Sequence, residues 1–449
     1  MKQPNVVLII SDQWSKSIAD GSGENKNGVF TPGIDELAKE GVRFENNYSS
    51  YPLCCPARSS MFTGCMPHET HIIDNQEIQK QKGFFRPNEE LKTLGETLKE
   101  HGYDTAYFGK EHAAGFGYKG MDELGTLLFS GGGCLAEGSL YDQIFTNDSI
   151  RYLNQKHEKP FYMVLSLINP HDMCKALGGP VADATIADAA QFCRTDDELY
   201  LRGQMRAGLP ENFDSKFEKG MIPDKDWMFK DLAKMDEDHW KRNISTYDLL
   251  IEKTDLYVQR VNNELKRLGL EDNTIVIFTT DHGDMMGGHG IIGKTNMYEE
   301  SSATHLIIKY KDVIKPLTVN KNALSNTIDL MPTILDLCGI EIPNTVKGQS
   351  LKEECMGINT HKFEETYSEN SYSRMLRYKN YKYVISNIYG ERYDILFDLE
   401  KDPLETTNIY NQEGYEEISK EVNQKLEAYL EREGISTHFD LQHPFYLDK

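Results

Sequence analysis

The chain reads as an α/β protein. Residues 1–358 are expected to form a large, mostly parallel sheet sandwiched by helices, and residues 359–449 a smaller C-terminal α+β subdomain with a small antiparallel sheet and a helix. Three observations lead there. Short apolar runs of strand length alternate with helical patterns, which implies parallel strands covered on both faces. The texture changes near Asn359, where Tyr, Arg, Ile and Val dominate. Acids, bases and amines recur directly after the apolar runs, at the edge where open α/β sheets bind ligands.

Five runs read as buried strands: Val6–Ile10, Thr105–Phe108, Tyr162–Leu167, Thr274–Phe278 and Leu306–Ile308. Thr31-Pro32 is a helix start ahead of Ile34, Leu37 and Ala38. Leu91, Leu94 and Leu98 keep helical spacing, as do Leu250, Thr254, Tyr257, Val258, Val261, Leu265 and Leu268 until Gly269 stops them. Beyond Asn359, Arg374–Ile385 and Glu391–Leu399 read as antiparallel strands around Asn387–Gly390. Ile418, Val422, Leu426, Tyr429 and Leu430 mark a last amphipathic helix, which Gly434 ends. His171–Lys241 is a long, charged, weakly periodic insertion, either a pocket wall or solvated surface.

The 449 residues carry 49 Lys+Arg against 71 Asp+Glu, a net charge of −22. A nucleic-acid binder needs a basic face, and so does docking on anionic lipid. An anionic substrate must therefore be drawn by a local basic pocket. No apolar run approaches the length of a membrane span. No signal peptide is visible, so the expectation is a cytoplasmic protein as written, or a periplasmic or secreted one had a leader been removed. The eight cysteines are irregularly spaced and do not form a disulfide framework; most are expected to be buried thiols.

Chemistry collects behind four runs. Asp12-Gln13, Lys110-Glu111-His112, His171-Asp172 and Asp281-His282 each follow a predicted strand. Any one alone is a turn or a helix cap; four together point to one site. Separately, Cys54-Cys55-Pro56-Ala57-Arg58 leads into Met61-Phe62-Thr63-Gly64, with Pro56 suited to a first helical turn and Gly64 to its end. Cys54 then lies at a helix N-terminus, which favours negative charge.

Cys54-x-Pro56-x-Arg58 followed by Met61-Phe62-Thr63-Gly64 resembles the signature of the formylglycine-dependent (type I) sulfatases of the alkaline phosphatase superfamily. Pro4–Gln13, Gly41-Val42-Arg43-Phe44, Gly109-Lys110-Glu111-His112, Asn169-Pro170-His171-Asp172, Thr280–Asp284, Gly293-Lys294, Asp329–Ile334 and Tyr393–Pro403 fall in that family's order, so the likeness spans nearly the whole chain. It implies that Cys54 is oxidised to formylglycine by a maturation enzyme. It also implies that Asp12, Gln13, Asp281, His282 and the converted Cys54 hold a divalent metal, with Ca²⁺ first and Mg²⁺ or Mn²⁺ open. Ser11 and His282 stand where many relatives have Asp and Asn; this version resembles the choline sulfatase and phosphonate monoester hydrolase branches. By the same likeness Arg58 fixes the formylglycine, and Lys110 and Lys294 clamp sulfate oxygens. His112 takes the proton that releases sulfate. His171, with Lys294, serves the leaving group. Asn75 is a candidate substrate contact, or a turn residue. His289 is another, or simply orders its loop. The function implied is hydrolysis of a sulfate ester of a small or chain-end carbohydrate. A phosphonate monoester or phosphodiester hydrolase on the same scaffold, and a non-catalytic binder of sulfated glycans, are the alternatives.

Overall fold

Val6 to Ile10 are wholly buried, and alternate side chains of a strand face opposite ways. Val7 and Ile9 accordingly enter one apolar layer, and Val6, Leu8 and Ile10 the other. The computed structural model describes residues 3–126, 138–173, 208–223 and 235–435. It places β1 (Asn5–Asp12) at the centre, parallel to both β5 (Phe161–Pro170) and β6 (Thr274–Thr280). Outward from these lie β2 (Val42–Tyr48), β3 (Asp104–Gly109), β4 (Glu123–Leu124), β7 (Ala303–Thr304), β8 (Leu306–Tyr310) and β9 (Thr318–Asn326). The nine strands run β4-β3-β5-β1-β6-β8-β2-β7, with β9 paired to β2. β8 is antiparallel to β6 and to β2, and β7 is antiparallel to β2; the other pairings of the central sheet are parallel.

Helices cover both faces. On one, α1 (Pro32–Glu40) and the helix Glu237–Arg267 contribute Ile34, Leu37, Trp240, Tyr247, Val258 and Leu265. On the other, α2 (Cys54–Thr63) and the helices Leu94–Glu100 and Leu330–Leu337 contribute Met61, Phe62, Leu98 and Ile334. The long helix begins 13 residues before Leu250, where the sequence pattern was clearest, because the Asp236 side chain caps it on His239 N–H (2.9 Å). Most of the 171–241 insertion lies outside the described residues, as do Cys134, Cys174 and Cys193. The other five cysteines are free and buried.

A second, antiparallel sheet comprises β10 (Glu365–Glu369), β11 (Ser373–Tyr378), β12 (Tyr381–Ile388) and β13 (Glu391–Asp398). The expected strand Arg374–Ile385 is in fact two, because Lys379 adopts φ +54° and folds the run into a hairpin. One face of this sheet packs Leu376, Tyr383 and Leu396 on the helix Glu416–Arg432. The other packs Met375, Val384 and Phe397 on Tyr48, Met297 and Tyr298 of the main body. Among the described residues no helix is long and apolar enough to cross a membrane.

Candidate active site

β3, β5, β1 and β6 are contiguous and parallel, so their carboxyl ends share one edge. That edge receives Lys110 from β3, His171 from β5, Asp12 from β1 and Asp281-His282 from β6. α2 sits against it. Leu53 is extended and starts the helix; Gly64, at φ +67°, ends it with its N–H on Ser60 O. All ten residues of α2 are buried, which sets Cys54 and Arg58 one turn apart against the strand ends.

Arg58 organises the centre. Its Nε donates to Asp281 Oδ2 (2.7 Å), and its two terminal nitrogens to Asp12 Oδ2 (2.9 Å) and to Ser166 Oγ (2.7 Å) and Lys110 O (3.2 Å). The second oxygens of both carboxylates face Cys54 and His282. Cys54 Sγ lies 3.7 Å from Asp12 Oδ1 and 3.3 Å from His282 Nε2, and His282 Nε2 is 3.7 Å from Asp281 Oδ1. Donor atoms of Asp12, Cys54, Asp281 and His282 all fall within 4.8 Å of one another. His282 Nδ1 is 2.9 Å from Gly283 O, a contact that assigns its proton there and turns Nε2 toward the group. Two carboxylate oxygens and an imidazole nitrogen, buried and convergent, fit a divalent cation of the Ca²⁺, Mg²⁺ or Mn²⁺ kind. Gln13 joins through a neighbour: its Oε1 accepts from Lys294 Nζ (2.5 Å) and its Nε2 donates to Asp284 Oδ2 (2.5 Å).

The electrostatics are those of an anion site. Burial and Cys54 push Asp12 up, but Lys110, His171 and Arg58 outweigh them and hold it far below the carboxylate range. Burial and the facing Asp12 push Asp281 up. Burial raises the Cys54 thiol, yet Lys294, Lys110 and His282 bring it well below its ordinary value. Lys294 Nζ stands 3.2 Å from Cys54 Sγ. Lys110 Nζ is 2.9 Å from Asp12 Oδ2, an ion pair off hydrogen-bonding angle, so the buried ammonium makes no hydrogen bond. Nor do the buried Nδ1 atoms of His112 and His171, although both rings interact with Cys54. Buried polar groups short of hydrogen bonds are costly, and an incoming anion would give the ammonium and imidazole N–H groups here a further partner. Burial, Lys110 and Lys294 drive His171 down to about 4. Burial lowers His112, but Cys54 and Glu77 carry it above its ordinary value.

Of the other expected contacts, Asn75 lies beside the group: its Oδ1 accepts from Cys55 N–H at 3.4 Å. His289 makes its contacts elsewhere. Its ring stacks on Tyr298 (4.0 Å between centroids, 20°), an arrangement that orders the loop. Three participants were not anticipated. Asp284 sat in a quoted motif without a role. Ser166, inside a predicted strand, gave no signal, and Glu77, 3.0 Å from His112 Nε2, lies in a short helix that the sequence does not mark.

Comparison with known proteins agrees with this geometry. The family model described as Sulfatase matches residues 4–340, and that described as N-sulphoglucosamine sulphohydrolase, C-terminal, matches 287–432. A Delta 4,5-hexuronate-2-O-sulfatase of Bacteroides thetaiotaomicron is 27% identical over 96% of this chain and 89% of its own. An N-acetylglucosamine-6-O-sulfatase of the same organism is 26% identical over 95% of this chain and 86% of its own. The solved structure of a 2-O GAG sulfatase superposes with a TM-score of 0.78 at 25% identity, covering 96% of this chain and 93% of its own. With that match running from the first strand to beyond the last site residue, the chain belongs to the sulfatase family, the sulfuric-ester hydrolases of the alkaline phosphatase superfamily.

Proposed function

We propose that the enzyme hydrolyses a sulfate ester of a small or chain-end sulfated carbohydrate, releasing the alcohol and inorganic sulfate. The observation that carries this is the ring of buried ammonium and imidazole groups around Cys54: Lys294 Nζ is 3.2 Å from Sγ, Lys110 Nζ lies beside Asp12, and the rings of His112 and His171 both interact with Cys54. The activities of the two relatives, a hexuronate-2-O-sulfatase and an N-acetylglucosamine-6-O-sulfatase, support the substrate class.

As formylglycine, Cys54 supplies a hydrated aldehyde hydroxyl as nucleophile toward sulfur. Asp12, Asp281 and His282, with Gln13 beside them, would hold a divalent cation, Ca²⁺ being the first choice, which supplies Lewis-acid charge beside that hydroxyl. Arg58 keeps both carboxylates in register by occupying their far oxygens. Lys110 and Lys294 neutralise the non-bridging sulfate oxygens, the step a chain of net charge −22 must perform locally. Burial, with two ammonium groups facing it, holds His171 down to about 4 and so neutral in the free enzyme; a bound sulfate offsets the ammonium groups, raises its pKa and lets it serve the leaving oxygen. His112, made more basic by Glu77, accepts the proton whose loss releases sulfate.

The test is co-expression with a formylglycine-generating enzyme, mass analysis of the Cys54 peptide, and assay of sulfate release from sulfated mono- and disaccharides against a phosphate diester. Conversion of thiol to aldehyde with turnover of a sulfated sugar is expected. Full activity with an unmodified thiol, or faster turnover of the diester, overturns the reading.

A further inference from the structure

We propose that Asn370 and Tyr372, in the turn between β10 and β11, are positioning residues: they clamp the carbonyl of Thr295 and thereby hold the Lys294 ammonium against Cys54. The proposal rests on Lys294 as the sulfate clamp described above.

The segment from Asp281 to Glu299 has little regular structure to fix it. It passes through left-handed conformations at Met286, Gly287, His289, Gly290, Gly293 and Thr295. Thr295, the residue after Lys294, has φ +72°. A β-branched side chain is a true outlier there, and such a conformation persists only where its surroundings over-determine it. Here they do. Thr295 N–H donates to Pro52 O (2.9 Å), two residues before Cys54. Thr295 O accepts from Asn370 Nδ2 (2.7 Å) and from Tyr372 Oη (2.7 Å). The two donors are themselves fixed. Asn370 Oδ1 accepts from Tyr372 N–H (2.9 Å) and Ser373 N–H (2.6 Å), and both side chains are buried. Burial pushes the Tyr372 phenol far above its ordinary pKa, so it stays a donor.

The small sheet grips the segment a second time. The ammonium of Lys382, on β12, is fully buried; it donates to Met297 O (2.8 Å) and pairs with Glu299 and Glu405 (2.7 Å each). The backbone just after Lys294 is thus tied to the α2 entry through Thr295 N–H and to the C-terminal sheet through the carbonyls of Thr295 and Met297. The C-terminal sheet thus acts on the active site through the backbone that carries Lys294.

The test uses the matured enzyme and two substitutions, Tyr372→Phe and Asn370→Asp, each alone and combined with Lys294→Ala. Tyr372→Phe removes one hydroxyl. Asn370→Asp keeps an oxygen that holds the turn but sets an acceptor oxygen against Thr295 O where the donor stood. Each is expected to lower kcat/KM by roughly tenfold, the loss of one positioning hydrogen bond. In the Lys294→Ala background neither should cost more than about twofold, because the group being positioned is gone. A merely structural turn would subtract the same factor in both backgrounds. Unchanged kcat/KM in Tyr372→Phe, or equal losses with and without Lys294, overturns the proposal; Tyr372→Phe decides where Asn370→Asp does not fold. If the wild-type enzyme releases no sulfate from any ester, the proposed function fails instead, and the same cycle is read on calorimetric affinity for inorganic sulfate.

Discussion

Replacing Arg58 by methionine tests the centre of the site most directly. Methionine approximates the length and bulk of arginine but donates nothing. In the wild type the guanidinium, wholly buried, spans Asp12 and Asp281 and also engages Ser166 and Lys110 O. Removing one partner of a buried ion pair costs about 3–5 kcal/mol, because the other charge is left uncompensated. Two pairs break here, but their costs do not add. Asp12 keeps Lys110 at 2.9 Å, and Asp281 Oδ1 keeps the N–H groups of Gln13 (3.0 Å) and His282 (2.9 Å). The expected loss is therefore about 4–5 kcal/mol, a large fraction of the roughly 5–15 kcal/mol that holds a typical fold. Urea unfolding in a chelator, followed by tryptophan fluorescence, to which the buried Trp14 and Trp240 contribute, reads it. Sulfate release should fall by at least about 100-fold, since α2 and both carboxylates lose their register. Added Ca²⁺ should raise the urea midpoint of wild type and variant alike, through the carboxylate oxygens that face Cys54. Arg58→Lys keeps the charge but not the fork, so it should regain part of the stability and little activity. A methionine variant within about 1 kcal/mol of wild type with unchanged m-value would refute the reasoning. So would indifference of both proteins to Ca²⁺ and chelator.

Three further substitutions probe the scaffold. Gly109 has φ +114°, and a Cβ there would lie 1.9 Å from Ser166 O, the same oxygen that accepts Lys110 N–H. Gly109→Ala should cost roughly 3 kcal/mol or more and most of the activity. Gly102→Ala, strained at φ +86° but open, should cost only about 1–2 kcal/mol by the same urea measurement. Equal effects at the two positions would show that the clash does not matter. Asp329 is buried and pushed up to about 7 although it accepts from Asn326 and Gln349 N–H. Between its ordinary 3.8 and about 7 the folded chain keeps a proton that the unfolded chain has lost. Wild-type stability therefore falls through that window as pH rises, and levels off above it. Asp329→Asn abolishes this, so the variant should gain on wild type by about 1.4 kcal/mol per pH unit across the window. A stability difference that is the same at pH 5 and pH 8 would contradict the burial argument.

What the sequence made legible follows from range. Strands buried on both faces are written as continuous apolar runs, so β1, β3, β5, β6 and β8 were all visible, and with them the edge that carries Asp12, Lys110, His171 and Asp281. Cys54, Arg58 and Gly64 were visible because one helix and its caps bring them together. What stayed hidden is what depends on distant contacts. The turn at Lys379 needs a positive φ on a residue that does not advertise one, so two strands read as one. Ser166 points at Arg58 from within an apolar strand, where a serine ordinarily means only a small buried side chain. Glu77 acquires meaning only from His112, 35 residues away, and Asn370 and Tyr372 only from Thr295, more than 70 residues away. The expected role of His289 rested on its glycine-rich neighbours. Those glycines let the chain turn so that the imidazole stacks on Tyr298, the loop-ordering arrangement that was one of its two readings. The acids and amines of the site are thus local features of strand ends, readable one by one, whereas the groups that hold them at working distance are supplied by the rest of the fold. That division explains why the charged motifs were readable from the chain and their supports were not. It also locates where activity can be lost without altering any of them: at the hydrogen bonds that the small antiparallel sheet makes to the backbone beside Lys294.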